Sequence, residues 1–190
     1  MSIWTKIRDE IEHKNIDTAI REVKTFLRDS HACSDLILED QFDNDESEIA
    51  FEIEDVLQSN NLTTVNISVA NFIDTFNQWH FVINAKDEYS PDSEEDEFLE
   101  PNDTTIDTNV TRIIVLDGLN RTKNQISNLF SQYIIDSKNL ELKHQYEALS
   151  LLALLKFFKL IKKSVKNIKQ TRKVKFQISE KYNDYLQLVL

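Results

Sequence analysis

One glycine, two prolines and one cysteine in 190 residues set the first limits on this chain. Tight hairpins need residues that accept a positive φ, and glycine is the default choice. A single glycine, Gly118, argues against a many-stranded sandwich or barrel and leaves Asn and Asp to supply the turns. It also excludes a dinucleotide-binding fingerprint and a P-loop, since each needs two or more glycines to bring backbone against phosphate. A lone cysteine, Cys33, cannot form an intramolecular disulfide, which points to a reducing compartment. Residues 1–6 carry no apolar h-region of a signal peptide. The longest apolar stretch, 149–161, is broken by Lys156 and Lys159 and falls short of the ~18 residues of a membrane span. The expectation is an intracellular protein of the nucleus or cytoplasm, neither secreted nor transmembrane.

Basic residues are as scarce in one half as acidic ones are in the other. Residues 29–111 hold 22 Asp and Glu against one basic side chain, Lys86. Residues 148–179 hold nine Lys and Arg and no acid. The net charge of −11 hides this division. A chain with opposite fields at its two ends is expected to meet charged macromolecules, or to bring its own ends together.

Helical periodicity dominates the pattern. Ile3, Trp4, Ile7 and Ile11 share one face of a first helix, and Ala19, Ile20, Val23, Phe26 and Leu27 form the stripe of a second. Between them, residues 14–20 (KNIDTAI) resemble the inter-helix turn of tetratricopeptide-type and related helical-hairpin modules. No second copy follows, so the resemblance implies a helical hairpin and no solenoid. Further helices are predicted near 46–58, from Ile49, Phe51, Ile53, Val56 and Leu57, and near 66–83, from Val69, Phe72, Ile73, Phe76, Trp79 and Val82. Residues 111–118 (TRIIVLDG) read either as a buried strand closed by an Asp-Gly turn or as part of one helix over 108–135. Length and spacing favour the helix, more firmly after Leu119.

Residues 138–171 give the strongest pattern. The segment 145–155 is apolar almost all round, as in a helix buried at the centre of a bundle. From Lys156 onward it is two-faced: Lys156, Lys159, Lys162, Lys163, Lys166 and Lys169 fall within an arc of about 140°. Phe157, Phe158, Ile161, Val165 and Ile168 take the other side. Alternation at Val174, Phe176 and Ile178 suggests a brief extended arm, after which Ser179 and Glu180 are placed to cap a short final helix bearing Tyr182, Tyr185, Leu186 and Val189. The predicted fold class is all-α: an acidic helical region over 1–85, a disordered acidic loop over 86–105, and a helical region with a basic amphipathic helix over 106–190.

Catalytic and metal-binding patterns are weak. His31, Cys33 and Asp35 fall short of the four ligands of a structural zinc site, and an acidic neighbourhood raises a thiol pKa. Acidic pairs such as Glu52 and Asp55 arise readily in so acidic a chain. The reading is therefore no enzyme, no cofactor and no metal. Two features stand out. The lysine row, continued by Arg172, Lys173 and Lys175, matches phosphates or an acidic partner. Ser90 and Ser93, beside Pro91 and the acids 94–97, match proline-directed and acid-directed phosphorylation, which would add charge to the acidic loop. The expected function is that of a non-catalytic subunit or adaptor of a multiprotein complex, docking through Trp4, Ile7, Ile11, Tyr185, Leu186 and Leu190 in a hetero-oligomer. The alternative is an accessory factor that contacts DNA or RNA backbone through residues 156–175.

Overall fold

The computed structural model describes residues 3, 7, 15–60, 64–69, 79–86, 110–169, 175–180 and 183–189. In chain order the elements are α1 (Ile16–Asp29), α2 (Asp35–Leu38), α3 (Glu46–Asn60), β1 (Thr64–Val69), β2 (His80–Lys86), β3 (Val110–Val115), α4 (Asn120–Ile135), α5 (Leu140–Lys166), β4 (Lys175–Glu180) and β5 (Asn183–Val189). The described residues are mostly helical, as the periodicity implies, but the all-α expectation is corrected by a five-stranded sheet in the order β3-β2-β1-β4-β5.

Three predicted helices give way to strands. The helix expected near 66–83 is replaced at its two ends by β1 and β2, paired antiparallel with Val65 opposite Ala85 and Ile67 opposite Ile83. β1 alternates polar and apolar residues, and in both strands burial follows a period of two: Val65, Ile67, Phe81 and Ile83 are all in the core. The long helix expected over 108–135 begins only at Asn120; before it, the β-branched run 110–115 pairs with β2 as the strand reading required. The short helix expected after Ser179 and Glu180 is instead β5, antiparallel to β4 with an irregularity between Ile178 and Glu180. The arm near 174–178 does form a strand, and it runs parallel to β1.

Each helix follows from its sequence. Asn15 caps α1 by accepting the Thr18 N–H (3.3 Å), and Ile16, Ala19, Val23 and Leu27 make its buried stripe. Asn139 caps α5 through the Leu142 N–H (3.2 Å). Buried on nearly every side from Ala148 to Phe158, α5 packs against α1, α3 and α4. Phe157 carries it onto the sheet, its ring centroid 5.3 Å from that of Phe81. Leu152 and Leu155 lie at 0 % exposure, so truncating either removes a fully buried side chain worth several kcal/mol. Ile3 and Ile7 are helical, and Ile7 belongs to the same core.

The two charge-divided halves share this sheet. Strands β1 and β2 come from the acidic half and β4 and β5 from the basic half, and β1 at the centre pairs with one of each.

Candidate functional site

The lysine face of α5 meets the acidic half directly. Lys156, the first of the row, is buried at 6 % exposure rather than displayed for a ligand. Its ammonium donates to the carbonyl of Leu38 (2.9 Å) and to that of Asp40. Burial disfavours the charge and the Lys24 ammonium adds repulsion, so its pKa is pushed down to about 8 despite Asp40 and Glu39 nearby. Lys159 Nζ lies 2.5 Å from Asp17 Oδ1 and holds that carboxyl below its usual range. Lys163 Nζ reaches Glu46 Oε1 at 2.8 Å, and the Lys169 main-chain N–H donates to Glu54 Oε1 at 2.5 Å. Lys162 adds to the positive field over Asp17, and Lys166 is exposed. Lys175 opens β4, and Arg172 and Lys173 lie outside the described residues.

A second set of contacts runs along residues 30–45, a polar and acidic segment with a small apolar island at Leu36, Ile37 and Leu38. Side chains of the basic half donate to its carbonyls in succession: Gln145 to Ser30 (2.9 Å), Gln125 to Ala32 (2.8 Å), Thr122 to Ile37 (3.3 Å) and Lys156 to Leu38. The carboxylate of Asp40 then accepts the N–H groups of Arg121 (2.9 Å) and Thr122 (3.0 Å). It thereby caps α4, whose own preceding residue, Leu119, sits at φ 49° without a side-chain cap. Phe42 bridges Gly118, where φ is 89° and an added Cβ would lie 2.5 Å from the carbonyl oxygen of Gln41. The single glycine of the chain stands where two backbones touch, not in a hairpin.

The third feature is the outer side of β3, on which no further strand pairs among the described residues. The Leu116 N–H reaches inward to the carbonyl of Trp79 (2.8 Å), so the alternate residues Ile113 and Val115 turn their main-chain groups outward. At one end Asn44 mimics a neighbouring strand: its carboxamide donates to the Val115 carbonyl (3.0 Å) and accepts the Asp117 N–H (2.9 Å). Below the rest of the edge lies a groove of about 640 Å³ between α3 and β3, lined among others by Glu48, Ile49, Phe51, Glu52 and Ile113. Phe51 and Ile113 are 66 % and 59 % exposed. Arg112 spans the inner wall to Glu52 (3.2 Å) and Asp55 (2.5 Å), so the acidic pair noted in the sequence is a structural anchor.

Sequence reasoning counted Phe51 among the apolar residues of its helix. It lies about 200° from Ile49 on a helical wheel, and the two are respectively exposed and buried; that offset was the available signal. The edge residues Ile113 and Val115 were masked by the helical reading of 108–135. Of the expected docking residues, Ile7 is corrected from surface to core, at 0 % exposure. Tyr185 and Leu186 lie in β5, the other outer strand, while Trp4, Ile11 and Leu190 lie outside the described residues. Ser90 and Ser93 also lie outside them. Burial, more than acidic neighbours, pushes the Cys33 thiol up to about 11. Among the described residues no three His, Cys, Asp or Glu side chains gather as metal ligands, and no helix is long and apolar enough to cross a membrane. No family model, curated protein or solved structure matches this chain.

Proposed function

We propose that this chain is a non-catalytic subunit or adaptor of an intracellular multiprotein complex, nuclear or cytosolic, acting through protein–protein contacts. The observation that carries the reading is the engagement of the lysine row within the chain: Lys156 on main-chain carbonyls inside the protein, Lys159 on Asp17 and Lys163 on Glu46. A nucleic acid would have to displace those carboxylates, and Lys156 has no exposed ammonium to offer it. Apolar side chains remain uncovered meanwhile, among them Phe51, Ile113, Ile134 and Ile135. A thiol held near 11 also supports a non-catalytic role, because the thiolate is the reactive form.

Tagged full-length protein, purified from its native cell and weighed by light scattering with mass spectrometry of its companions, tests the reading. A stoichiometric hetero-complex is expected, and an unaccompanied monomer counts against it. Fluorescence anisotropy with duplex DNA at 50 and 200 mM salt tests the alternative. Weak binding at both is expected; tight, steeply salt-dependent binding lost in Lys163→Glu and Lys166→Glu would favour nucleic acid.

A further inference from the structure

The edge of β3 combines three properties that rarely coincide on a surface without a partner. It offers outward main-chain groups at Ile113 and the N–H of Val115, in a sheet with no described strand beyond it. It stands over a groove whose wall includes the exposed ring of Phe51. Its surroundings are acidic: Glu48 and Glu52 line the groove, Asp43, Asp45 and Asp117 flank Asn44 at one end, and Arg112 is already shared between Glu52 and Asp55. Edge strands are ordinarily blunted by charge, bulges or a covering element. Here the blunting stops at Asn44, which takes up the Val115 carbonyl and the Asp117 N–H; among the described residues the Val115 N–H and both main-chain groups of Ile113 have no partner.

We propose that this edge and groove bind an extended apolar peptide segment flanked by lysine or arginine, which adds to β3 as a sixth strand. The proposal rests on the adaptor reading and names its surface and the chemistry of its partner. Main-chain hydrogen bonds to both groups of Ile113 and to the Val115 N–H supply the pairing, and alternate side chains point either into the groove beside Phe51 or onto the outer face beside Ile113. The carboxylates around the groove select basic flanks and disfavour acidic ones. They also disfavour a second copy of this chain, which would bring the same acids to the same edge.

The probe is a fluorescent seven-residue peptide of alternating valine and lysine, titrated against the full chain by anisotropy. Saturable binding is expected, weakened about tenfold or more by N-methylation of the peptide backbone, by lysine-to-glutamate exchange, or by Ile113→Lys in the protein. Ile113 is largely exposed, so an unchanged thermal midpoint is expected for the Ile113→Lys chain; Glu48→Lys, on an exposed side chain, gives an independent second variant. Equal binding by the N-methylated peptide overturns strand addition, and equal binding by the glutamate peptide overturns the charge assignment. A dimer by sedimentation that Ile113→Lys dissociates gives the edge to a second copy and overturns the proposal. Native purification of wild type and Ile113→Lys side by side separates the two readings. Loss of the companion from the variant alone supports the edge, and recovery by both overturns the edge while the adaptor reading stands. If neither recovers a companion, the adaptor reading fails, and the peptide titration decides the edge by itself.

Discussion

Lys156 opens a row of lysines in the sequence and yet stands apart from them in the structure. It follows directly on the segment 145–155, where every turn of α5 is in the core, and its flanking residues Leu155 and Phe157 are at 0 % exposure. A charge there is tolerated because two carbonyls of the 30–45 segment accept it. Lys156→Glu places a carboxylate against those carbonyls, and urea unfolding should show a loss of about 3–5 kcal/mol. The pH dependence has a definite sign. The folded pKa, about 8, lies below the ordinary lysine value of 10.5. Between those values the unfolded chain binds more protons than the folded one, so this group's contribution to stability rises with pH through that window and falls away as pH drops through 8. Urea midpoints between pH 7.5 and 10 should carry that rising contribution in the wild type and lack it in Lys156→Met. The burial was partly legible, since a helix apolar on all sides was recognised up to Leu155. Helical phase alone grouped the next residue with the lysines beyond it, and phase carries no information about where a neighbouring segment ends.

At the scale of elements, α4 depends on a residue far away in sequence. Leu119 cannot cap it, and Asp40 does so from the other half of the chain. Asp40→Ala should cost about 1–2 kcal/mol in urea unfolding and speed amide exchange at Arg121 and Thr122. Asp40→Asn, which keeps an acceptor oxygen, should retain most of the protection. Such a cap leaves no local sequence signature, which is why the start of α4 was legible only as the place where helical spacing became firm. The helices α1, α3 and α5 were readable because their stripes are long and repeat every three or four residues. Of the strands, β4 was readable from its alternation and β3 stood as one of two readings, while β1, β2 and β5 were taken for helix. Each is six or seven residues long, and Val69, Phe72, Ile73, Phe76, Trp79 and Val82 happen to fit a helical period. The competing alternation at Val65, Ile67, Phe81 and Ile83 was the signal that mattered. The scarcity of glycine, taken as evidence against a many-stranded sandwich or barrel, does not bear on the connections between β1 and β2 and between β2 and β3, which have residues enough to turn without it.

For the whole molecule, the division of charge works inward. The pairs Lys159–Asp17, Lys163–Glu46 and Arg112–Glu52 join sequence-distant segments, but most of these side chains are partly exposed, and such pairs are worth about 0–1 kcal/mol each. Their value is therefore in orientation more than in stability. In a double-mutant cycle, Asp17→Lys with Lys159→Glu should recover a coupling of about 0.2–1 kcal/mol lost in either single change, and 1 M salt should abolish most of it. The charge pattern made it legible that the two ends can meet. Which lysine meets which acid depends on how α5 packs against α1 and α3, the helices that carry Asp17 and Glu46.

The position of β1 also governs the order in which the sheet can close. One side of β1 is covered as soon as β2 emerges, but the other waits for Lys175 to pair with Thr64. Throughout synthesis of β3, α4 and α5 the central strand therefore has an open flank, which β4 closes only afterwards. Pairings between such distant segments are slow to form and expose the nascent chain to aggregation while they do. The same molecule that offers a finished edge at β3 must, while young, shield an unfinished one at its centre.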